Sequence, residues 1–149
     1  MRLDGFRPDM EPTGCIFCEI VAGRAPAAIV WESPEFVAFL DHQPIQPGHL
    51  LLVPREHIDY LFDLEPPRYR DLWDCAKNLA IPLKQATGAD RIGVAVEGYG
   101  VPHLHVHLVP LNSLGDLDPC RRHPVARDEL DRMAGQIRSS LQRIRPPRT

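Results

Sequence analysis

Residues 103–110 read HLHVHLVP, with a histidine at every second position from 103 to 107 and Leu104, Val106 and Leu108 as the alternate residues. Successive side chains of an extended chain point to opposite faces. A strand over residues 104–110 therefore presents His103, His105 and His107 together on one face and packs the aliphatic residues on the other. Three of the seven histidines fall in this short run. A core histidine satisfies its ring nitrogens singly, and a triple incurs the desolvation cost three times, so the cluster points to chemistry rather than packing. Two chemistries suit it. Several imidazoles can ligate one metal, or one neutral imidazole can act as a nucleophile while the others orient it and contact an anion. The spacing does not choose between them.

Outward from this run, RIGVAVEG (91–98) reads as a second strand, separated from the first by the short loop Tyr99 to Pro102. HLLLVP (49–54) is continuously apolar and follows a loop from Pro44 to Gly48, as a central strand buried on both faces does. AIVWE (28–32) and FVAFL (36–40) flank Ser33-Pro34-Glu35 and form a predicted hairpin. From Pro66 to about Thr87 apolar residues recur at three- and four-residue steps, from Tyr69, Leu72 and Trp73 to Leu83. Pro66 and Pro67 suit the first turn of this main helix, Gly88 its stop, and Pro82 should kink its last turn. CIFCEIVAG (15–23) reads as a short helix capped at Gly23, and Leu130, Met133, Ile137, Leu141 and Ile144 form the apolar stripe of a C-terminal helix.

The chain has 149 residues, 44% of them hydrophobic, a length that suits one compact domain. Residues 1–14 read as a flexible arm, residues 15–145 as a single domain ending in the C-terminal helix, and residues 146–149 as a tail. With 17 basic against 20 acidic residues and a net charge of -3, no global positive field recruits nucleic acid or an anionic membrane. No stretch approaches the roughly 20 apolar residues that span a bilayer, and the first residues lack the apolar core of a secretory signal. The expectation is a cytoplasmic protein whose four cysteines form no disulfide and serve as ligands, nucleophiles or core filler.

Cys15 and Cys18, as Cys-x-x-Cys, suit two thiolate ligands of one tetrahedral zinc or a redox pair. A redox pair of the thioredoxin type follows a strand at a helix start in a parallel sheet, and the sequence before Cys15 reads only as an arm, so zinc is favoured. A closed site needs two further ligands, for which His57 in VPREH and His103 are available. The bland alternative is that both thiols pack in the core. Phe17 and Phe39 are likewise ordinary core residues by themselves, Asp41 a turn or cap residue, and His42 and His123 exposed loop residues.

CIFCEIVAG, FVAFLD, PGHLLLVPREH and HLHVHLVP, in this order and spacing, resemble the histidine-triad (HIT) superfamily, specifically its zinc-containing bacterial branch near the purine nucleoside phosphoramidases. The resemblance covers about residues 15–112. It implies an α+β fold of the HIT type: an antiparallel sheet of about five strands with one long helix, plus a short N-terminal and a C-terminal helix, paired as a homodimer that joins two sheets. It implies a nucleotide hydrolase or transferase that cleaves at the α-phosphate of a purine nucleotide, such as a phosphoramidate, an aminoacyl-adenylate or a dinucleoside polyphosphate. In that pattern His105 is the nucleophile, His107 contacts the phosphate and His49 is a supporting fourth histidine. Cys15, Cys18, His57 and His103 match the ligands of a structural zinc. Ile16, Phe17 and Phe39 match apolar walls of the purine pocket, and Asp41 the carboxylate that binds the ribose hydroxyls. The rival readings are a zinc-stabilised nucleotide-binding or interaction protein with little turnover, and a hydrolase using the triad as metal ligands. The chain departs from the pattern at Val96, which stands where relatives carry Asn, and in the loop to the triad, which is shorter and lacks Gln and Ser. Pro102 also removes an N–H donor there.

Overall fold

The computed structural model describes residues 14–144. The arm expected over residues 1–14, apart from Gly14, and the tail at residues 146–149 lie outside the described residues. Cys15 caps a short helix, α1 (Ile16–Val21), by accepting the Cys18 N–H on its sulfur at 3.4 Å. The hairpin forms as β1 (Ile29–Glu32) and β2 (Phe36–Leu40), with the Ser33 hydroxyl accepting the Phe36 N–H at the turn. Then come β3 (Leu50–Pro54), the long helix α2 (Pro66–Thr87), β4 (Arg91–Ala95), β5 (Val106–Leu111) and α3 (Arg127–Ile144). α2 has Pro66 at its start and stops at Gly88, which takes the left-handed conformation at φ 70°. It stays helical through Pro82, so the missing N–H removes one bond without ending the element.

The strands form one antiparallel sheet in the order β1-β2-β3-β5-β4, and the fold is α+β. Strands β2 and β3 are buried along their whole length. The period-two alternation sends Phe36, Ala38, Leu40, Leu50 and Leu52 to a core shared with α2 and α3. Val37, Phe39, Leu51 and Val53 go to the opposite face, where they pack with Cys15, Phe17, Cys18 and Ile20. The C-terminal stripe therefore serves the chain's own core: Ala134 and Ile137 are buried, and Leu130, Met133 and Leu141 pack around them. Among the described residues no helix is long and apolar enough to cross a membrane.

Two boundaries differ from the sequence expectation. The strand expected over residues 91–98 ends at Ala95, and the triad strand begins at Val106 rather than Leu104, which leaves His103 and His105 ahead of the ladder. The pairing runs out on both sides, at Ala95↔His107 and Leu52↔Val106. The backbone then turns to the loop after β3, where Leu104 N–H donates to the Ile58 carbonyl at 2.6 Å.

His49 enters β3 from a tight turn in which its N–H donates to Gln46 O at 3.0 Å. Gly48 holds φ +90°, and a Cβ there would stand 2.7 Å from Thr87 Cγ2 and 3.3 Å from Pro110 Cγ. Gly48→Ala is expected to cost about 1–3 kcal/mol, read as a lower urea midpoint at unchanged slope. An unchanged midpoint would show that the turn tolerates a side chain.

Candidate functional site

Cys15 and Cys18 lie one helical turn apart, His57 sits in the loop after β3, and His103 lies at the mouth of β5. Cys18 Sγ is 3.2 Å from His57 Nδ1 and 3.5 Å from His103 Nδ1, and Cys15 Sγ is 3.5 Å from the same His103 nitrogen. All four ligand atoms lie within 4.8 Å of one another. Sulfur and nitrogen ligands placed about 2.3 and 2.0 Å from a tetrahedral centre stand about 3.5 Å apart, so this group can hold a metal ion. His103 Nε2 lies 2.8 Å from the Pro54 carbonyl, which only accepts. The proton therefore sits on Nε2 and the Nδ1 lone pair faces the thiols, as ligation requires. Burial pushes the His103 pKa down to about 4, which keeps the ring in its neutral, ligating form.

The triad imidazoles do not converge on one metal. His103 belongs to the thiol group, His107 to a second group with Asp41 and His49, and His105 to neither. Hydrogen bonds to backbone fix the remaining tautomers. His105 Nδ1 is 2.7 Å from the His103 carbonyl, so Nδ1–H donates and Nε2 keeps its lone pair. His49 Nδ1 accepts the Ile45 N–H at 3.0 Å, which places the His49 proton on Nε2. That proton points to His107 Nδ1 at 2.9 Å, leaving His107 with its own N–H at Nε2. A His49 ring committed in this way has no lone pair left, so the Asp41, His49 and His107 group does not form a metal site. Burial pushes both His49 and His107 down to about 4. For His49, Asp41 opposes the shift while Arg122 and His105 add to it. For His107, His49, His105 and Arg122 add to it and Asp41 opposes it.

His105 and His107 line a cleft of roughly 480 Å³ with Ile16, Phe17, Phe39, Leu51 and Asp41. Phe39, Leu51 and His107 are successive cross-strand partners on β2, β3 and β5, so they share one face and form its floor. Phe17 stands edge-on to Phe39 at 5.4 Å and to His105 at 5.2 Å, and is at once core and wall. Asp41 is buried; its Oδ1 accepts the Gln43 N–H at 2.9 Å, and its Oδ2 is 3.8 Å from His49 Nε2. It is thus both the turn residue of the bland reading and part of the cleft. His49 lies behind His107 and does not line this cleft. His42 and His123 are exposed, as expected. Val96 packs against the core on the α2 face, and the shortened loop reaches the cleft through Tyr99, Gly100 and Val101.

Sequence reasoning missed the C-terminal contribution, in which Arg122, Val125, Arg127 and Leu130 complete the lining. Arg127 and Leu130 belong to the first turns of α3, whereas Arg122 and Val125 sit in the polar, aperiodic segment before it, which tertiary hydrogen bonds place. Asp116 accepts from Asn112 N, Ser113 N and Arg121, while its carbonyl accepts from Gln46 Nε2 at 3.2 Å. His123 N and Val125 N donate to Pro44 O and His42 O.

The antiparallel sheet, the thiol and imidazole group and the histidine chain beside an apolar cleft define a histidine-triad protein. The HIT domain family model matches residues 22–114, and the chain belongs to that family. It is 39% identical over 101 residues to an uncharacterised HIT-like protein of Saccharolobus solfataricus, covering 64% of this chain and 73% of the relative. It is 27% identical over 137 residues to an adenylylsulfatase of Arabidopsis thaliana, covering 87% of this chain and 68% of the relative. Among solved structures, a zinc-bound histidine triad family protein from Mycobacterium smegmatis superposes with a TM-score of 0.75 at 28% identity, covering 88% of this chain and 95% of that one.

Proposed function

We propose that the protein cleaves a purine nucleotide at its α-phosphate through a nucleotidyl intermediate on His105. The observation that carries this reading is the His105 tautomer, with Nδ1–H held by the His103 carbonyl and the lone pair left on Nε2 in a ring that lines the cleft. A neutral imidazole is nucleophilic at neutral pH and forms a labile phosphoramidate, which divides one displacement into two easier ones. As Nε2 bonds to phosphorus the ring becomes positive, and the His103 carbonyl dipole at Nδ1–H stabilises that charge. His107 Nε2–H donates to the phosphate, held by His49 and ultimately by the Ile45 amide. The apolar walls Ile16, Phe17 and Phe39 take the base, and Asp41 takes the ribose hydroxyls. The adenylylsulfatase relative supports an adenylyl substrate.

In this reading Cys15, Cys18, His57 and His103 hold a structural zinc. The ion ties together chain segments far apart in sequence and so fixes the carbonyl that orients His105. A homodimer would join two sheets through β4, an edge strand on which Val94 is 46% exposed. Thiols used as ligands suit a reducing, cytoplasmic setting.

The test is release of AMP from adenosine 5′-phosphoramidate and diadenosine tetraphosphate. The state of the histidine chain is checked separately by NMR titration of its rings. An ordinary histidine titrates near 6.5, whereas burial pushes His49 and His107 down to about 4. The ring resonances of both are expected to hold still from about pH 6 to 8 and to move only as the pH approaches 4, where protonation removes the acceptors at His49 Nδ1 and His107 Nδ1. A midpoint near 6.5 for either ring would contradict the neutral chain. AMP binding with no release from either substrate would favour a binding protein.

A further inference from the structure

We infer that Arg122 is a positioning residue that makes the cleft select an intact ribose, by pairing with Asp41 and fixing the carboxylate that takes the ribose hydroxyls. The inference rests on the proposed placement of the ribose at Asp41. Asp41 follows β2, and its N–H donates to the His49 carbonyl at 3.0 Å. Its side chain lines the cleft yet is only 5% exposed. A carboxylate buried to this degree needs a cation or several donors facing it. Among the described residues three side chains capable of positive charge approach it: His42 at 3.9 Å, His49 at 3.8 Å and Arg122 at 3.6 Å. His42 is exposed to water. His49 is neutral, with its proton directed to His107 and its lone pair to the Ile45 amide. Arg122 therefore brings the permanent charge.

The contacts close a ring around the turn that follows β2. Gln43 N–H donates to Asp41 Oδ1 at 2.9 Å, the Gln43 carbonyl accepts Arg122 Nε–H at 3.1 Å, and Arg122 Nη2 faces the same Oδ1. A guanidinium holds its N–H groups in one rigid plane, so the bond to Gln43 sets the direction from which Arg122 approaches the carboxylate. One carboxylate oxygen is thus committed to the protein. The other, Oδ2, accepts no hydrogen bond from the described residues and is left for the O2′ and O3′ hydroxyls. The nucleotide also brings the negative charge of its α-phosphate into the same cleft, and Arg122 offsets the repulsion between that charge and Asp41. Arg127, the other arginine lining the cleft, is turned to Asp131 at 2.8 Å and to the Ala27 carbonyl at 3.1 Å. His123 N–H and Val125 N–H donate to Pro44 O and His42 O, which ties the segment carrying Arg122 to the loop carrying Asp41.

The experiment compares kcat/KM for adenosine 5′-phosphoramidate and its 2′,3′-dideoxy counterpart in the native protein, Arg122→Gln, Arg122→Lys, Asp41→Asn and the Asp41→Asn/Arg122→Gln double variant. The native protein is expected to prefer the ribose substrate, and Arg122→Gln to reduce that preference about tenfold, chiefly through KM. Arg122→Lys should recover part of it. In the Asp41→Asn background Arg122→Gln should change the preference no further, because the carboxylate it positions is gone. A general structural defect lowers both substrates together and leaves their ratio where it was. An unchanged ratio in Arg122→Gln, an equal further fall in the Asp41→Asn background, or a native protein indifferent to the hydroxyls overturns the inference. Should the native protein cleave neither substrate, calorimetry of AMP and 2′,3′-dideoxy-AMP tells failure of cleavage apart from failure of this inference. A preference for AMP that falls in Arg122→Gln supports the role of Arg122. An unchanged preference, or a native protein that binds both equally or neither, overturns it.

Discussion

Replacing His105 by Ala is expected to reduce AMP release by about 10⁴-fold or more, the scale on which removal of a covalent nucleophile acts. The effect is large because neither of the other two triad histidines can substitute for the nucleophile. The His107 lone pair is used by His49, and His103 turns its Nδ1 to the thiols. Since His105 lies two residues from a candidate metal ligand, His105→Asn is the better-controlled variant. Its side-chain amide can still donate to the His103 carbonyl while offering phosphorus no nucleophilic nitrogen. It should match the native urea midpoint and zinc content, retain AMP binding and lose turnover. Retention of more than about a tenth of native turnover in both variants would exclude His105 from the covalent role.

Cys18→Ser is expected to lose bound zinc and to melt about 10 °C or more below the native protein, a shift worth several kcal/mol for a chain of this size. Cys18 is the ligand whose sulfur approaches both imidazoles, at 3.2 and 3.5 Å. Without it α1, the loop after β3 and the mouth of β5 lose their common anchor. The helix-side core contains none of the four ligands, so the variant should stay folded at low temperature. Turnover should fall as well, because the His103 carbonyl that holds His105 rides on the same residue. The check is metal analysis beside thermal melting with and without a chelator. A native protein that purifies without zinc, or a variant with the native melting temperature, would mean that the thiols merely pack.

Much of this architecture is legible in the sequence where local rules act alone. Helix α2 runs from Pro66 to Thr87 as its proline start and glycine stop require. The continuous apolar run at residues 50–54 is the central strand. The triad's alternation pointed to chemistry rather than packing, but did not show that only His107 lies inside the ladder, because strand ends depend on where neighbouring strands stop. The tautomers were also invisible, since they hang on the Ile45 amide and the Pro54 and His103 carbonyls, which any residue supplies. Arg122 left no signal because contacts such as Gln46 to Asp116, seventy positions apart, place it.

The nucleotidyl-histidine itself offers the most direct test. Turnover of adenosine 5′-phosphosulfate would be quenched with alkaline denaturant, in which phosphorus–imidazole bonds persist, and the digested protein mapped by mass spectrometry. An adenylyl group on His105 that forms and decays no more slowly than AMP appears, and is missing in His105→Asn, is the expected result. AMP release with no adduct at any time, or with the adduct on another residue, would contradict covalent catalysis by His105.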